Sequence, residues 1–139
     1  MSGQAGWTQV DALVGGTLLG DDPALQACLS NSAKHGLPDI AVSGAQARFL
    51  ELIARISGAR RVLEVGTLGA YSTIHLARGV GDTGHVTTLE LDPAFAEVAR
   101  ANIAEAGLSN RVNVVTGPAL ESLTMLDGPF DLAFIDADK

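Results

Sequence analysis

Three acidic residues stand where a parallel sheet would bring them together. Glu64 follows Val62 and Leu63 in the run RVLEV, Glu90 closes HVTTLE, and Asp136 follows LAFI. Each run reads as a short buried strand. Parallel strands end on a common edge, and ligands of open α/β sheets bind outside those carboxyl ends. A carboxylate there is costly unless it meets a donor. Glu64 is thus open to two readings: a local cap or pair, or an acceptor for a positively charged ligand group such as the ammonium of an amino acid. Glu90 ends the second strand about 20 residues beyond a glycine turn, the usual place for a carboxylate that binds two ribose hydroxyls. Its plainer alternative is an acid beside Asp92 at a helix start, favoured by the dipole. For Asp136-Ala137-Asp138-Lys139 the plain reading is a polar strand exit.

The turn that serves this edge is Gly66-Thr67-Leu68-Gly69-Ala70-Tyr71-Ser72. From Ser72 onward, Ile74, Leu76, Ala77 and Val80 recur as in a helix. A strand, a glycine turn and a helix form the ligand-binding half of a βα unit. Glycine lets the backbone come close to a ligand, and the helix start presents free N–H groups. The dinucleotide fingerprint G-x-G-x-x-G is not met, because Leu68 and Tyr71 stand where glycines are required. A nicotinamide-dependent oxidoreductase would share Glu90 but lacks this support.

The remaining elements follow from periodicity and caps. Residues 10–36 read as helix with one interruption: Val10, Leu13, Val14 and Leu18 recur, Asp22-Pro23 is a helix start, and Ala24, Leu25, Cys28 and Leu29 share a face. Cys28 belongs to that apolar set and reads as core. After the extended link Ile40-Ala41-Val42-Ser43, Ser43 caps a helix over Gly44–Ile56, whose apolar set is Ala45, Phe49, Leu52, Ile53 and Ile56. Strands are expected at 62–65, 85–89, 112–116 and 132–135. A helix opened by Asp92-Pro93 turns Phe95, Val98, Ala99, Ile103 and Ala106 inward, and a shorter one covers 119–126. This alternation means a mainly parallel sheet with right-handed crossovers, a Rossmann-like α/β fold in the order 3-2-1-4. A helical segment, 1–60, precedes the sheet-forming part, 61–139, within one domain.

Composition narrows the function classes. The chain has 139 residues, 47% hydrophobic and 18% charged, with a formal net charge of −7. That balance suits a packed core and disfavours nucleic acid or an anionic membrane as partner. The single cysteine excludes an intrachain disulfide, and no Cys/His cluster has zinc spacing. No signal peptide or membrane span is legible, so a reducing, cytoplasmic setting is the expectation.

The segments VLEVGTLGAYSTIHLA, TLELDPAFAEVARANIAEAGL and FDLAFIDADK resemble the class I S-adenosylmethionine-dependent O-methyltransferases of the catechol and caffeoyl-CoA type. The similarity runs from about residue 10 to the end, and the GT-x-G-x-YS turn with the F-I-D-A-D-K segment is its most specific part. The resemblance implies that Glu64 and Gly66 hold the amino-acid part of the methyl donor, with Thr67, Tyr71 and Ser72 beside it and Val42 reaching it from the N-terminal side. It implies that Glu90 binds the ribose, that Leu91 lies by the adenine, and that Ala119 gives a backbone contact next to Pro118, which has no N–H to offer. Asp136 would be the first ligand of a divalent metal (Mg, Mn or Ca), and Lys139 the general base. Gln46-Ala47 stands where many relatives have Gln-Gly.

The implied reaction is methyl transfer to a hydroxyl of a small catechol-like or phenolic acceptor. It is an in-line displacement that needs alignment of the acceptor oxygen and a lowered hydroxyl pKa. The rival of a different class is an inert binding or assembly module on the same fold. Related domains have seven strands and an Asp-Asn pair of further metal ligands after the fifth. The expectation is therefore a fragment, inert alone, with Leu132, Phe134 and Ile135 at an edge that would be buried in the complete fold. It should aggregate or pair with a second copy through strand four or the N-terminal helices.

Overall fold

The computed structural model describes residues 3–137, so Asp138 and the expected base Lys139 lie outside the described residues. Strands β1 (Arg61–Val65), β2 (His85–Glu90), β3 (Val112–Thr116) and β4 (Leu132–Ile135) form one sheet in the order β3-β2-β1-β4. Every neighbouring pair is parallel, as the strand–helix alternation requires. In register, Val62 faces Val86 and Leu132, and Val86 faces Val112; one step on, Glu64 faces Thr88 and Phe134.

Because side chains alternate, these rows share one face of the sheet. That face packs against α2 (Pro23–Lys34), α3 (Gly44–Ile56), α4 (Tyr71–Gly79) and α5 (Pro93–Glu105). Leu63, Val65 and Leu89 lie on the other face, with Ala119 and Leu126 at the ends of α6 (Ala119–Met125). The crossovers change side between β1 and β4, the point at which doubly wound sheets open a ligand crevice.

The caps explain the helix starts. Asp22 Oδ1 accepts from Leu25 N–H at 3.1 Å, Asp92 Oδ1 accepts from Ala94 N–H at 2.8 Å, and Ser43 forms a capping box with Gln46. Leu132 and Phe134 are half-buried and Ile135 is 74% exposed, since β4 is an edge of this sheet. No helix among the described residues is long and apolar enough to cross a membrane.

Two sequence expectations fail. The first helix, α1, begins at Gly3 rather than near Val10, and it runs to Val14 before a wider π-type turn over Gly15–Leu19. It buries none of its residues, so Val10 and Leu13 form no core face. In α3 the apolar stripe points outward. Phe49, Leu52 and Ile56 are exposed, while Ala47, Glu51 and Ala54 are buried. The reason is close helix packing: a Cβ on Gly79 of α4 would lie 2.8 Å from Ala54 Cβ and 2.6 Å from the Glu51 carbonyl oxygen. Only small side chains, and one carboxylate that finds donors, fit that contact.

Candidate functional site

The carboxyl ends of the strands are stitched together by main-chain bonds. Gly66 N–H donates to Leu89 O, Asp136 N–H to Val65 O and Gly117 N–H to Glu90 O, each at 2.9 Å. Gly66 is indispensable to this junction. Its φ is +99°, and a Cβ there would overlap the carbonyl oxygen of Asp136.

From Gly66 the chain makes an unusual turn. Leu68 and Ala70 also have left-handed φ, 50° and 72°, although both carry a Cβ. Leu68 N–H is thereby aimed at Glu90 Oε2, at 2.8 Å, while Asp92 N–H reaches Glu90 Oε1 at 3.0 Å. Ala70 precedes α4 and makes no side-chain cap. The helical ladder begins with Ile74 N–H to Ala70 O at 3.0 Å, so the N–H groups of Tyr71, Ser72 and Thr73 make no bond within the helix. The strand edge thus meets the positive end of a helix, a setting for a ligand carboxylate.

Glu64 sits beneath that turn, 0% exposed. Ser72 Oγ donates to Oε2 at 2.6 Å, and the Oγ1 atoms of Thr73 and Thr88 donate to Oε1 at 2.5 and 2.7 Å. Thr67 Oγ1 extends the network to Thr88 Oγ1 at 2.6 Å. Burial pushes the Glu64 carboxyl above its ordinary range; the hydroxyls of Ser72, Thr73 and Thr88 oppose this, and the charge of Asp136 adds to it. Glu64 therefore reaches the edge through Ser72 rather than by its own oxygens.

The other expected site residues spread around this centre. Tyr71 is half-buried at the first position of α4 and stacks edge-on against His75, centroids 5.5 Å apart. Its hydroxyl lies 3.3 Å from where a Cβ on Gly44 would be, so the start of α3 packs against Tyr71; Val42, two residues earlier, is half-buried. Leu91, beside Glu90, is 69% exposed. Pro118 is the exposed residue before α6, and Ala119 is half-buried against Leu63, Val65 and Leu89. Asp136 is exposed. Among the described residues no group of three or more His, Cys, Asp and Glu could hold a metal ion, so Asp136 has no set of fellow ligands there.

One layer behind the turn, Glu51 is buried with Arg48, Arg55 and His75 around it; His75 Nδ1 lies 2.9 Å from Glu51 Oε2. Burial alone would raise the Glu51 carboxyl, yet hydrogen bonds from His75 and Arg48 hold it below its ordinary value. A cavity of about 260 Å³ lies here, lined by Asp22, Arg48, Glu51, Tyr71, His75 and Arg78 among others. A second cavity, about 420 Å³, lies at the opposite end of the strands beside Arg61, His85 and Asn113 and takes in none of the expected site residues.

Sequence reasoning missed Thr73, Thr88 and the Leu68 main chain. Thr88 carried a signal, since it lies two residues before Glu90 and so shares its face. The Leu68 conformation carried none, because nothing in its residue type favours a left-handed φ.

The chain matches the family model described as O-methyltransferase over residues 18–139. It is 60% identical over 131 residues to a catechol O-methyltransferase of Mycobacterium tuberculosis, covering 94% of this chain and 60% of the relative. An O-methyltransferase from Bacillus cereus, solved in complex with SAH, superposes with a TM-score of 0.94 at 47% identity, covering 97% of this chain and 63% of that one. The O-methyltransferase TomG from Streptomyces achromogenes, in complex with SAM, gives 0.90 at 41% identity, covering 99% of this chain and 63% of the neighbour. This chain thus spans about 60% of the length of the catechol O-methyltransferase it matches. The sheet order, the glycine turn and these likenesses agree: the chain belongs to the O-methyltransferase family.

Proposed function

We propose that this chain binds S-adenosylmethionine at the β1–β2 edge and serves methyl transfer to a hydroxyl of a small, catechol-like or phenolic acceptor. The single observation carrying the reading is the fixed, uncapped start of α4 beside two anchored carboxylates, Glu64 and Glu90. The free N–H groups of the first turn suit the carboxylate of the donor's amino-acid part. Ser72, oriented by Glu64, and Thr67 lie beside them. Val42 and Tyr71 close the N-terminal side. Glu90, with both oxygens already oriented by main-chain N–H groups, has lone pairs left for two ribose hydroxyls, and Leu91 and Pro118-Ala119 flank the adenine.

Bound donor supplies an electrophilic sulfonium methyl; the chain's residues hold it in line and keep water from it. Lys139 is proposed to take the acceptor's proton. Asp136 is proposed as one ligand of a divalent metal, which would lower the pKa of the acceptor's hydroxyl; the described residues alone do not complete its ligand set. The reading also takes the chain to be cytoplasmic and paired with a second copy.

A second reading is a donor-binding module without turnover, favoured by the contrast between the anchored Glu64 and Glu90 and the exposed Asp136. Saturation-transfer NMR tests the donor assignment. S-adenosylhomocysteine should show transfer to its adenine and ribose protons, and a nicotinamide dinucleotide should not. Transfer to the dinucleotide alone would overturn the reading. Methylation of catechol by the chain would remove the second.

A further inference from the structure

The turn that carries the proposed donor site has a costly shape, and part of what holds it lies outside the site. Left-handed φ at Leu68 and Ala70 persists only where the surroundings over-determine it. On the ligand side the restraint is Glu90, which takes Leu68 N–H. On the far side it is the carbonyl of Gly69, between the two strained residues. That oxygen accepts from Asn102 Nδ2 at 2.8 Å and from Cys28 Sγ at 3.1 Å.

Both donors are themselves fixed. Asn102, from α5, is 3% exposed and Cys28, from α2, is 1% exposed. Asn102 Oδ1 accepts from Asn31 Nδ2 at 2.7 Å, and its Nδ2 lies 3.2 Å from Ser32 Oγ. Ser32 Oγ donates to Cys28 O at 2.8 Å and fills the space a Cβ on Gly69 would need. Burial pushes the Cys28 thiol up to about 12, against the opposing bond with Ser32, so it remains a neutral donor. The polar atoms of this buried amide are spent on the turn and on α2.

We propose that Asn102 is a positioning residue for the donor site, with Cys28 in support. By holding the Gly69 carbonyl back, Asn102 keeps Leu68 N–H on Glu90 and the first-turn N–H groups of α4 facing the ligand. The inference rests on the donor reading above and adds to it a group that never touches the donor.

Calorimetry with S-adenosylhomocysteine tests it, well below the melting midpoint of each variant. Asn102→Ala should weaken binding roughly three- to tenfold, the effect of one buried hydrogen bond transmitted to the site. Adding Ala70→Gly, which removes the conformational cost at φ 72°, should recover most of that loss. A purely structural role would lower the melting midpoint of Asn102→Ala while leaving the affinity unchanged, and that result overturns the proposal. If Asn102→Ala does not fold, Cys28→Ala and Cys28→Ser decide. The serine, still a donor, should bind several-fold more tightly than the alanine, and equal affinities overturn the proposal. Failure of the wild-type chain to bind would instead count against the donor reading itself.

Discussion

The same sheet edge ends in two unlike ways. On the β1–β2 side, Glu64 receives three hydroxyls, Glu90 receives two N–H groups, and the turn between them is braced from both faces. On the β4 side, Asp136 is exposed, and it is joined to the edge through its main chain. The first region is held by hydrogen bonds within the chain itself, an arrangement that leaves little ordering for a ligand to impose. Among the described residues, the second is joined to the edge by main-chain contacts of Asp136. The carboxylates of the proposed donor side are thus built into the core of the described fold, whereas Asp136, proposed on the acceptor side, is exposed.

Mutations can break this contrast. Glu64→Ala should be the most damaging, at about 3 kcal/mol or more, since it strands three buried hydroxyls and leaves a cavity. Asp136→Ala, on the exposed side, should change stability by no more than about 0.5 kcal/mol. Urea unfolding of the two variants gives the comparison, and similar losses would erase it. Thr88→Val keeps the shape but removes one donor to Glu64 and the partner of Thr67. It should cost about 1–2 kcal/mol in the same assay.

The smallest effect lies one layer back, at His75. Burial, only partly offset by Glu51, holds this ring below its ordinary value of 6.5. Between the folded value and 6.5 the folded state binds fewer protons than the unfolded one. The contribution of the neutral ring is therefore complete above about pH 6.5 and drains away as pH falls through that window. The melting midpoint of the wild type should fall more steeply below pH 6.5 than that of His75→Gln. Parallel slopes would show that the α3–α4 layer does not sense His75.

The strand order and the convergence of Glu64, Glu90 and Asp136 were legible because they follow from the alternation of short apolar runs with helices. The caps at Asp22, Ser43 and Asp92 were legible for a local reason: each needs only its own next few residues. The burial of α3 was not. Periodicity marks an apolar stripe, but the Ala54–Gly79 contact, not hydrophobicity, decides which face approaches α4. The role of Glu64 was half legible. Its residue type announced a buried acceptor, whereas its donors come from the start of α4 and from the neighbouring strand in register. Asn102 was invisible for the same reason, since its partner Gly69 lies 33 positions away in sequence.

The proposed donor site at the β1–β2 edge places Glu90 at its ribose end. Titration of S-adenosylhomocysteine into the wild-type chain and into Glu90→Ala tests it most directly. Saturable binding to the wild type is expected, with a loss of roughly 1–3 kcal/mol in the variant from hydrogen bonds to a charged group. Equal affinities for the two proteins would contradict it.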